Sequence, residues 1–138
     1  MAARGLGAKY QGSKWLTRER RLALYIRDGL GCCYCGVGIE DGALLTLDHL
    51  IPHSQGGTNV SDNLITACRT CNSARANRTL DEFAERVAGY LNHGITAEAI
   101  LTHIQTTITR PVDITAAKAL IAARGGFTKA LDHSRKGE

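Results

Sequence analysis

Two short stretches decide the fold, CCYC at residues 32–35 and CRTC at residues 68–71. Each presents two thiols separated by two residues, and two such pairs supply the four thiolates that bind Zn²⁺ tetrahedrally, with Zn–S bonds of ~2.3 Å. Residues 36–67 separate the pairs, so a folded unit has to lie between them, with the zinc at its base. The predicted ligands of this structural zinc are Cys32, Cys35, Cys68 and Cys71.

Cysteine usage leaves two alternatives open. The chain has five cysteines, so a complete set of internal disulfides is impossible. A redox dithiol is the alternative to zinc, but neither pair opens a helix after a buried strand, as a thioredoxin-like dithiol does. Cys33 is either a small buried residue or a replacement for Cys32 as ligand, although only Cys32 has the two-residue spacing to Cys35.

Length and composition describe a globular chain. It has 138 residues, of which 43% are hydrophobic and 22% charged, which is typical of one domain with an appended helical piece. No apolar run approaches the ~18 residues of a membrane helix, and we predict no membrane partner. The N-terminus has no apolar region of the kind found in a secretory signal, so we expect a cytoplasmic protein with reduced thiols.

Basic charge is concentrated near the N-terminus. Lys and Arg number 17 against 13 Asp and Glu, a net charge of +4. Residues 1–30 contain seven basic and two acidic side chains, so this segment carries the whole excess. A solvated tail and a phosphate-binding patch both explain such a segment, and charge alone does not decide between them.

The first helix is predicted over residues 18–28. Residues 1–16 show no period and predict a flexible basic arm. Thr17 is a suitable N-cap for the helix that follows. Leu22 and Ile26 fall on its apolar face at helical spacing.

The middle of the chain, residues 30–80, loses this helical period. Short apolar runs predict strands over residues 44–47 and 63–66, with a loop rich in turn residues between them. A short helix is predicted over residues 69–78. We assign residues 17–80 to a core domain with its lead-in helix.

The C-terminal part is predicted to be helical. Residues 79–82 form a capping box, and Thr96 and Thr115 are suitable N-caps of two further helices. Residues 81–126 therefore form a helical extension that ends at a Gly-Gly pair, and residues 127–138 are predicted to be a frayed tail.

Polar residues between and after the cysteine pairs can support hydrolysis. Asp48 and His49 follow an apolar strand, so they lie at its end. Asp48 offers a hard oxygen to a divalent ion, and His49 can accept a proton near neutral pH. Asn72 offers a neutral oxygen beside the zinc ligand Cys71. With a basic segment to hold a polyanion, these residues predict metal-assisted hydrolysis of a phosphodiester.

The order and spacing of these residues resemble those of the HNH nuclease family over about residues 20–80. The matching elements are Arg27-Asp28-Gly29, both cysteine pairs, Asp48-His49-x-x-Pro52, Gly56-Gly57, Asn59, Asn63-Leu64 and Asn72. Each element alone is weak, but the ordered set is specific. The resemblance implies an α+β fold, a zinc-stapled ββα-metal (HNH/His-Me finger) core with flanking helices and a helical C-terminal extension.

The resemblance also implies a role for each of four residues. His49 is the general base that activates water, and Asp48 is a ligand of the catalytic ion. Asn63 holds the loop between the strands so that His49 is oriented. Asn72 stands where some members have histidine, and its amide oxygen together with Asp48 makes Mg²⁺ or Mn²⁺ the expected ion.

The implied activity is endonucleolytic hydrolysis of DNA, as a nick or a double-strand cut, that leaves 5′-phosphate and 3′-hydroxyl ends. The alternative is a non-catalytic, zinc-stabilised nucleic-acid-binding module, against which the joint presence of Asp48, His49 and Asn72 argues. Small proteins of this kind are often phage-borne or belong to restriction and mobile-element systems. The resemblance therefore implies the cytoplasm of a bacterium or of a phage-infected host.

Several side chains are candidates for contact with nucleic acid, although each can also be an ordinary solvated residue. They are Lys9, Lys14, Arg18, Arg21, His53, Arg69 and Arg75. The C-terminal helices show no chemistry of their own. They could bind DNA, form a homodimer or dock on a phage or host protein.

Overall fold

The computed structural model describes residues 16–91 and 94–135, so Lys9, Lys14 and the rest of the predicted arm up to residue 15 lie outside it. The elements follow in the order α1 (Arg18–Arg27), β1 (Leu45–His49), β2 (Leu64–Cys68), α2 (Arg69–Arg75), α3 (Leu80–Leu91), α4 (Ala97–Thr107), α5 (Ile114–Arg124) and α6 (Phe127–Arg135). This order confirms the predicted α+β class. No helix in the described ranges is long and apolar enough to cross a membrane.

Helix α1 begins where it was predicted, because the Arg20 N–H donates to Thr17 Oγ1 at 3.2 Å. Two groups of partners cover the helix: Leu24 packs in a cluster with residues of β1 and β2, and Leu22 in a cluster with residues of α5 and α6. Ile26, predicted on the same face, is 43% exposed because it lies outside both clusters. The helix is therefore held from two sides.

A buried ion pair fastens α1 to β2. Arg27 Nε lies 2.6 Å from Asp28 Oδ1, and both side chains are fully buried. The Thr66 N–H donates to Asp28 Oδ2 at 2.7 Å, and Arg27 Nη2 donates to Leu64 O at 2.6 Å. A buried charge is tolerated when it is paired and hydrogen-bonded, so these contacts fix the end of the helix against the strand.

The two strands form an antiparallel hairpin whose register pairs Leu45 with Cys68 and His49 with Leu64. Both strands start one residue and end two residues later than predicted. Every residue of β2 is buried, because Ile65 packs in the cluster that contains the cysteines and Leu64 packs in the cluster that contains α1. Asp48 and His49 are therefore the last paired residues of β1, and the ladder fixes their backbone.

Helices α3 and α4 extend the core around the cysteines. The predicted capping box is confirmed, since the Thr79 N–H donates to Glu82 Oε1 at 2.9 Å and the Glu82 N–H donates to Thr79 Oγ1 at 3.1 Å. Phe83 and Ile104 are fully buried in one cluster with Cys32 and its neighbours. The helical region thus shares its core with the hairpin.

Two predicted helix boundaries are corrected. Helix α5 is capped by Asp113 rather than by Thr115, since the Ala116 N–H donates to Asp113 Oδ1 at 2.9 Å. Helix α2 ends at Arg75 rather than at residue 78, and Ala76 follows with a φ of +47°. Pattern reading alone does not locate such boundaries. A helix start depends on which side chain reaches its free N–H groups, and a helix end depends on where the backbone leaves the helical conformation.

The last helix is a further correction, since residues 127–135 form α6 where a frayed tail was predicted. Gly125 ends α5 with a φ of +87°, a left-handed conformation that glycine adopts without a steric penalty. The chain then turns back, and Ala130 is fully buried in the cluster shared with α1 and α5. The Phe127 ring centroid lies 6.4 Å from that of Tyr25. The Gly-Gly pair is therefore a turn between two packed helices.

Candidate functional site: a cysteine cluster and a polar strand end

The four predicted zinc ligands converge. The Sγ atoms of Cys32, Cys35, Cys68 and Cys71 all lie within 4.8 Å of one another, and those of Cys35 and Cys68 are 3.8 Å apart. A tetrahedron with Zn–S bonds of ~2.3 Å has edges of about 3.8 Å, so the cluster fits a structural zinc ion. Within the described ranges, no other group of three or more His, Cys, Asp or Glu side chains lies close enough to share an ion.

Backbone donors support the sulfur atoms in both turns. The Cys35 N–H donates to Cys32 Sγ and the Cys71 N–H donates to Cys68 Sγ, each at 3.4 Å. The bond from the Cys35 N–H is one of the contacts that lower the pKa of Cys32. Each turn therefore directs an N–H group at a sulfur atom. The expectation that neither pair opens a helix after a buried strand is wrong for Cys68 and Cys71, since α2 follows the buried strand β2 directly. Zinc is favoured over a redox dithiol because all four sulfur atoms converge.

Without a cation between them, the thiols of the cluster differ in pKa, because ionisation of one thiol disfavours ionisation of its neighbours. A hydrogen bond from Cys71 lowers the pKa of Cys32 to about 5, whereas burial raises the pKa of Cys35 to about 11. The hydrogen bond with Cys32 and burial both raise the pKa of Cys71. Four adjacent thiolates therefore need a cation such as Zn²⁺, which fits the predicted role of the cluster.

Cys33 lies outside this cluster. It is 4% exposed, and its N–H donates to Thr66 O at 2.9 Å. Burial raises the pKa of its thiol, so the thiol stays protonated. Of the two alternatives that the sequence left open, the structure favours the small buried residue.

Strand β1 begins beside the cluster, where Leu45 pairs with Cys68, and ends in Asp48 and His49. His49 is half-buried, and its Nε2 lies 2.8 Å from Asn59 Oδ1 in the loop between the strands. His53, in the same loop, is exposed, and its ring centroid lies 6.2 Å from that of His49. The imidazole of His49 is thus at the strand end, where the predicted general base was expected.

The Asn63 side chain joins two parts of this loop through hydrogen bonds to their backbone. Its Oδ1 accepts from the Ile51 N–H at 2.9 Å, and its Nδ2 donates to Ile51 O at 3.2 Å and to Thr58 O at 2.8 Å. Gly57 permits the close approach that these bonds require, because a Cβ at this position would lie 1.7 Å from Ile51 O. The buried Asn63 side chain therefore makes the backbone contacts that the resemblance implies for it.

Asp48 is tied to two neighbours through one of its oxygens. Its Oδ2 accepts from Tyr34 Oη at 2.5 Å and from Arg75 Nη1 at 2.8 Å. Burial and the charge of Asp48 raise the pKa of Tyr34, so the phenol stays a donor. In the described part of the chain, no hydrogen bond to Oδ1 of Asp48 is found, and this oxygen remains for an ion.

Arg75 is buried in this network, which corrects the prediction that it contacts phosphate. Its side chain is 2% exposed, and Nη1 and Nη2 also donate to His49 O and to Leu50 O, each at 2.8 Å. Burial acts to lower the pKa of Arg75, but the charges of Asp48 and Tyr34 and the hydrogen bonds to both side chains together raise it, and the guanidinium stays charged. Its place in the sequence, on a short helix with other basic residues, could not distinguish an internal arginine from an exposed one.

Replacing Arg75 is expected to destabilise the fold. Arg75→Met leaves the Asp48 carboxylate and two backbone carbonyls without their buried donor, and loss of one partner of such a pair costs about 3–5 kcal/mol. Arg69→Met on the same helix is the control, since Arg69 is exposed. Urea unfolding measures both variants, and equal midpoints for the two would contradict the assignment of Arg75 to the core.

Asn72 approaches β1 from the first turns of α2. Its Nδ2 donates to Thr46 Oγ1 at 2.8 Å and to Leu47 O at 3.2 Å, so its amide lies against the residue that precedes Asp48. These bonds use the nitrogen and leave the amide oxygen as a possible ligand. A carboxylate and an amide oxygen match the preference of Mg²⁺ or Mn²⁺ for a few protein oxygens completed by water and phosphate.

The other predicted contacts with nucleic acid differ in exposure. Arg18 and Arg69 are exposed, whereas Arg21 is half-buried and its Nη1 lies 3.5 Å from Tyr25 Oη. Arg18 lies on α1 and Arg69 begins α2. Of the described candidates, Arg18, His53 and Arg69 therefore present accessible side chains.

Sequence reasoning missed several residues around the site. Arg20, Tyr34 and Asn59 contact the loop or the strand end, and Tyr90 Oη lies 3.7 Å from Cys71 Sγ. Asn59 was part of the quoted family pattern, and Tyr34 lies between two zinc ligands, so their positions carried a signal. Arg20 and Tyr90 lie in helices and carried none.

Comparison with known proteins gives one match. Residues 32–78, about a third of the chain, match the family model described as HNH endonuclease. No curated protein and no solved structure matches the chain. The matched segment includes both cysteine pairs, the hairpin and α2. Residues 32–78 therefore resemble an HNH endonuclease domain, and they contain a cysteine cluster positioned to bind zinc.

Proposed function

We propose that the protein is an endonuclease that hydrolyses DNA phosphodiester bonds with one catalytic divalent ion. The observation that carries the proposal is the hydrogen bond from Asn72 to Leu47 O, which joins α2 to the strand that ends in Asp48 and His49. A proton acceptor and two oxygen ligands thus belong to adjoining elements, and α2 also carries Cys71 of the cysteine cluster. The match of residues 32–78 to the HNH endonuclease model supports a nuclease and DNA as its substrate.

Each residue has a separate task in this proposal. His49 accepts a proton from the attacking water. Asp48 and Asn72 hold the ion through their remaining oxygens, and Asn63 keeps the loop of His49 in place. When bound, the ion would stabilise negative charge on the scissile phosphate and on the leaving oxygen. Arg18, Arg69 and His53 are proposed to contact the DNA backbone, since phosphate contacts position nucleic acid without reading its sequence.

A supercoiled plasmid tests the proposal against its alternative, a zinc-stabilised module that only binds nucleic acid. We expect nicked or linear plasmid when the zinc-loaded protein is incubated with Mg²⁺ or Mn²⁺. We expect intact plasmid when the zinc-loaded protein is incubated without an added ion. Binding of the plasmid without cleavage under every ion would favour the alternative.

The same assay needs a variant that removes one proposed ligand of the catalytic ion without disturbing the zinc. Asn72→Ala serves this purpose because the Asn72 side chain is only half-buried and its Nδ2 bonds are local. Ser73→Ala, at the exposed next position of α2, is the matched control. Equal cleavage by the two variants would contradict the role of Asn72 as a ligand.

A further inference from the structure

The loop that faces His49 is held from outside the matched domain, by the lead-in helix α1. Arg20 Nη2 donates to Asn59 O and, at 3.2 Å, to Ser61 Oγ. Arg27, seven residues further along α1 and hence on the same side of the helix, donates from Nη1 to Ser61 O at 2.9 Å. Two arginines of one helix thus form hydrogen bonds with Asn59 and Ser61 of the loop.

Asn59 connects the Arg20 side chain to the imidazole of His49. Its backbone carbonyl is bound by Arg20, while its side-chain Oδ1 lies 2.8 Å from His49 Nε2. An amide oxygen can only accept a hydrogen bond. Nε2 therefore carries the ring proton, and in a neutral imidazole Nδ1 is then the nitrogen that can accept one.

We propose that Asn59, anchored by Arg20, is a positioning residue that fixes the ring of His49 with its proton on Nε2 and with Nδ1 as the proton acceptor. The inference rests on the proposed function for its consequence in catalysis. Asn63 shapes the loop backbone, whereas Asn59 contacts the ring itself, so the two asparagines have different tasks. The lead-in helix is then part of the site, although it lies outside residues 32–78.

Nuclear magnetic resonance of the histidine rings tests the placement without reference to cleavage. The protein is labelled with ¹⁵N at histidine and studied at a pH where imidazoles are neutral, and His49→Ala identifies the His49 signals. We expect His49 in the Nε2–H form, with a ring proton that exchanges slowly with water. Asn59→Ala is expected to lose the slow exchange, and Asn59→Asp, which keeps an acceptor oxygen, is expected to retain it.

The control for Asn59→Ala is Asn77→Ala, the same change at an exposed asparagine. The control for Arg20→Met is Arg86→Met on the exposed side of α3. Wild-type protein with the His49 proton on Nδ1, or slow exchange that survives in Asn59→Ala, would overturn the inference. Each of these outcomes is read from the ring, whether or not the protein cleaves DNA.

The kcat and KM of plasmid cleavage then show whether Asn59 positions His49 or binds DNA. A general base that is misplaced by about 1 Å loses on the order of 100-fold in rate. We expect kcat to fall about 10- to 100-fold in Asn59→Ala and by a smaller factor in Arg20→Met, with KM unchanged in both variants. Asn59→Asp should recover most of the kcat that Asn59→Ala loses. A rise in KM at constant kcat would assign Asn59 to DNA binding and overturn the inference. Absence of cleavage in the wild type would instead refute the proposed function and leave the ring measurement to decide the placement.

Discussion

Replacing His49 by alanine is expected to reduce DNA cleavage about 10²- to 10⁴-fold, the range that a positioned general base contributes. The imidazole is half-buried at the end of β1, and its removal takes away the only group that the proposal assigns to proton transfer from water. The fold should survive, because the backbone of His49 stays paired with Leu64. Rates under single turnover measure the loss, and fluorescence anisotropy with a labelled duplex measures binding.

His103→Ala is the matched control for this variant, since His103 is exposed on α4. It should cleave at the wild-type rate. We expect His49→Ala to bind the duplex as tightly as the wild type, because the proposed phosphate contacts are untouched. Cleavage at the wild-type rate by His49→Ala would contradict the assignment of the general base.

Removal of zinc is expected to unfold the segment that matches the HNH model, residues 32–78. A structural zinc ion in a small domain contributes on the order of 10 kcal/mol, which matches or exceeds the whole stability of most domains. The cluster joins the turn before β1 to the end of β2, and Ile65 and Phe83 pack in the same core. A chelator should therefore abolish both the thermal transition and the slow amide exchange of β2, and added Zn²⁺, but not Mg²⁺, should restore them.

Zinc content provides the control. We expect one zinc per chain in the wild type and in Cys33→Ala, because Cys33 lies outside the cluster. Cys68→Ala should lose the ion. A metal-free chain with an unchanged melting temperature, or a disulfide between the cysteines under mild oxidant in place of bound zinc, would refute a structural zinc and favour the redox alternative.

Local patterns in the sequence predicted the parts of the fold that depend on neighbouring residues. The two-residue spacing of the cysteines predicted the cluster, and the box at residues 79–82 predicted the start of α3, because both signals lie within one turn of the chain. Asp48, His49 and Asn72 were recognised from their order and spacing. Their roles in catalysis remain predictions, and so does the division into domains.

Contacts between distant residues explain what the sequence could not predict. Arg75 and Asp48 are 27 positions apart, and an arginine on a short helix reads equally well as a solvated charge or as a buried partner. The same holds for Arg20, which was assigned to a basic helix and in fact binds the loop at Asn59. Helix α6 cannot be predicted from the Gly-Gly pair, which is as typical of the end of a helical region as of a turn, and only the buried contacts of Ala130 mark it as a turn.

The chemistry of the cut ends tests the central claim most directly. Zinc-loaded protein is incubated with supercoiled plasmid and Mg²⁺ or Mn²⁺, and the nicked product is treated with DNA ligase after removal of the protein. Water activated by His49 should leave 5′-phosphate and 3′-hydroxyl ends, so we expect the ligase to reseal the nicks. Nicks that stay open until a 3′-phosphate is removed, or a plasmid that remains intact with every ion, would contradict the account.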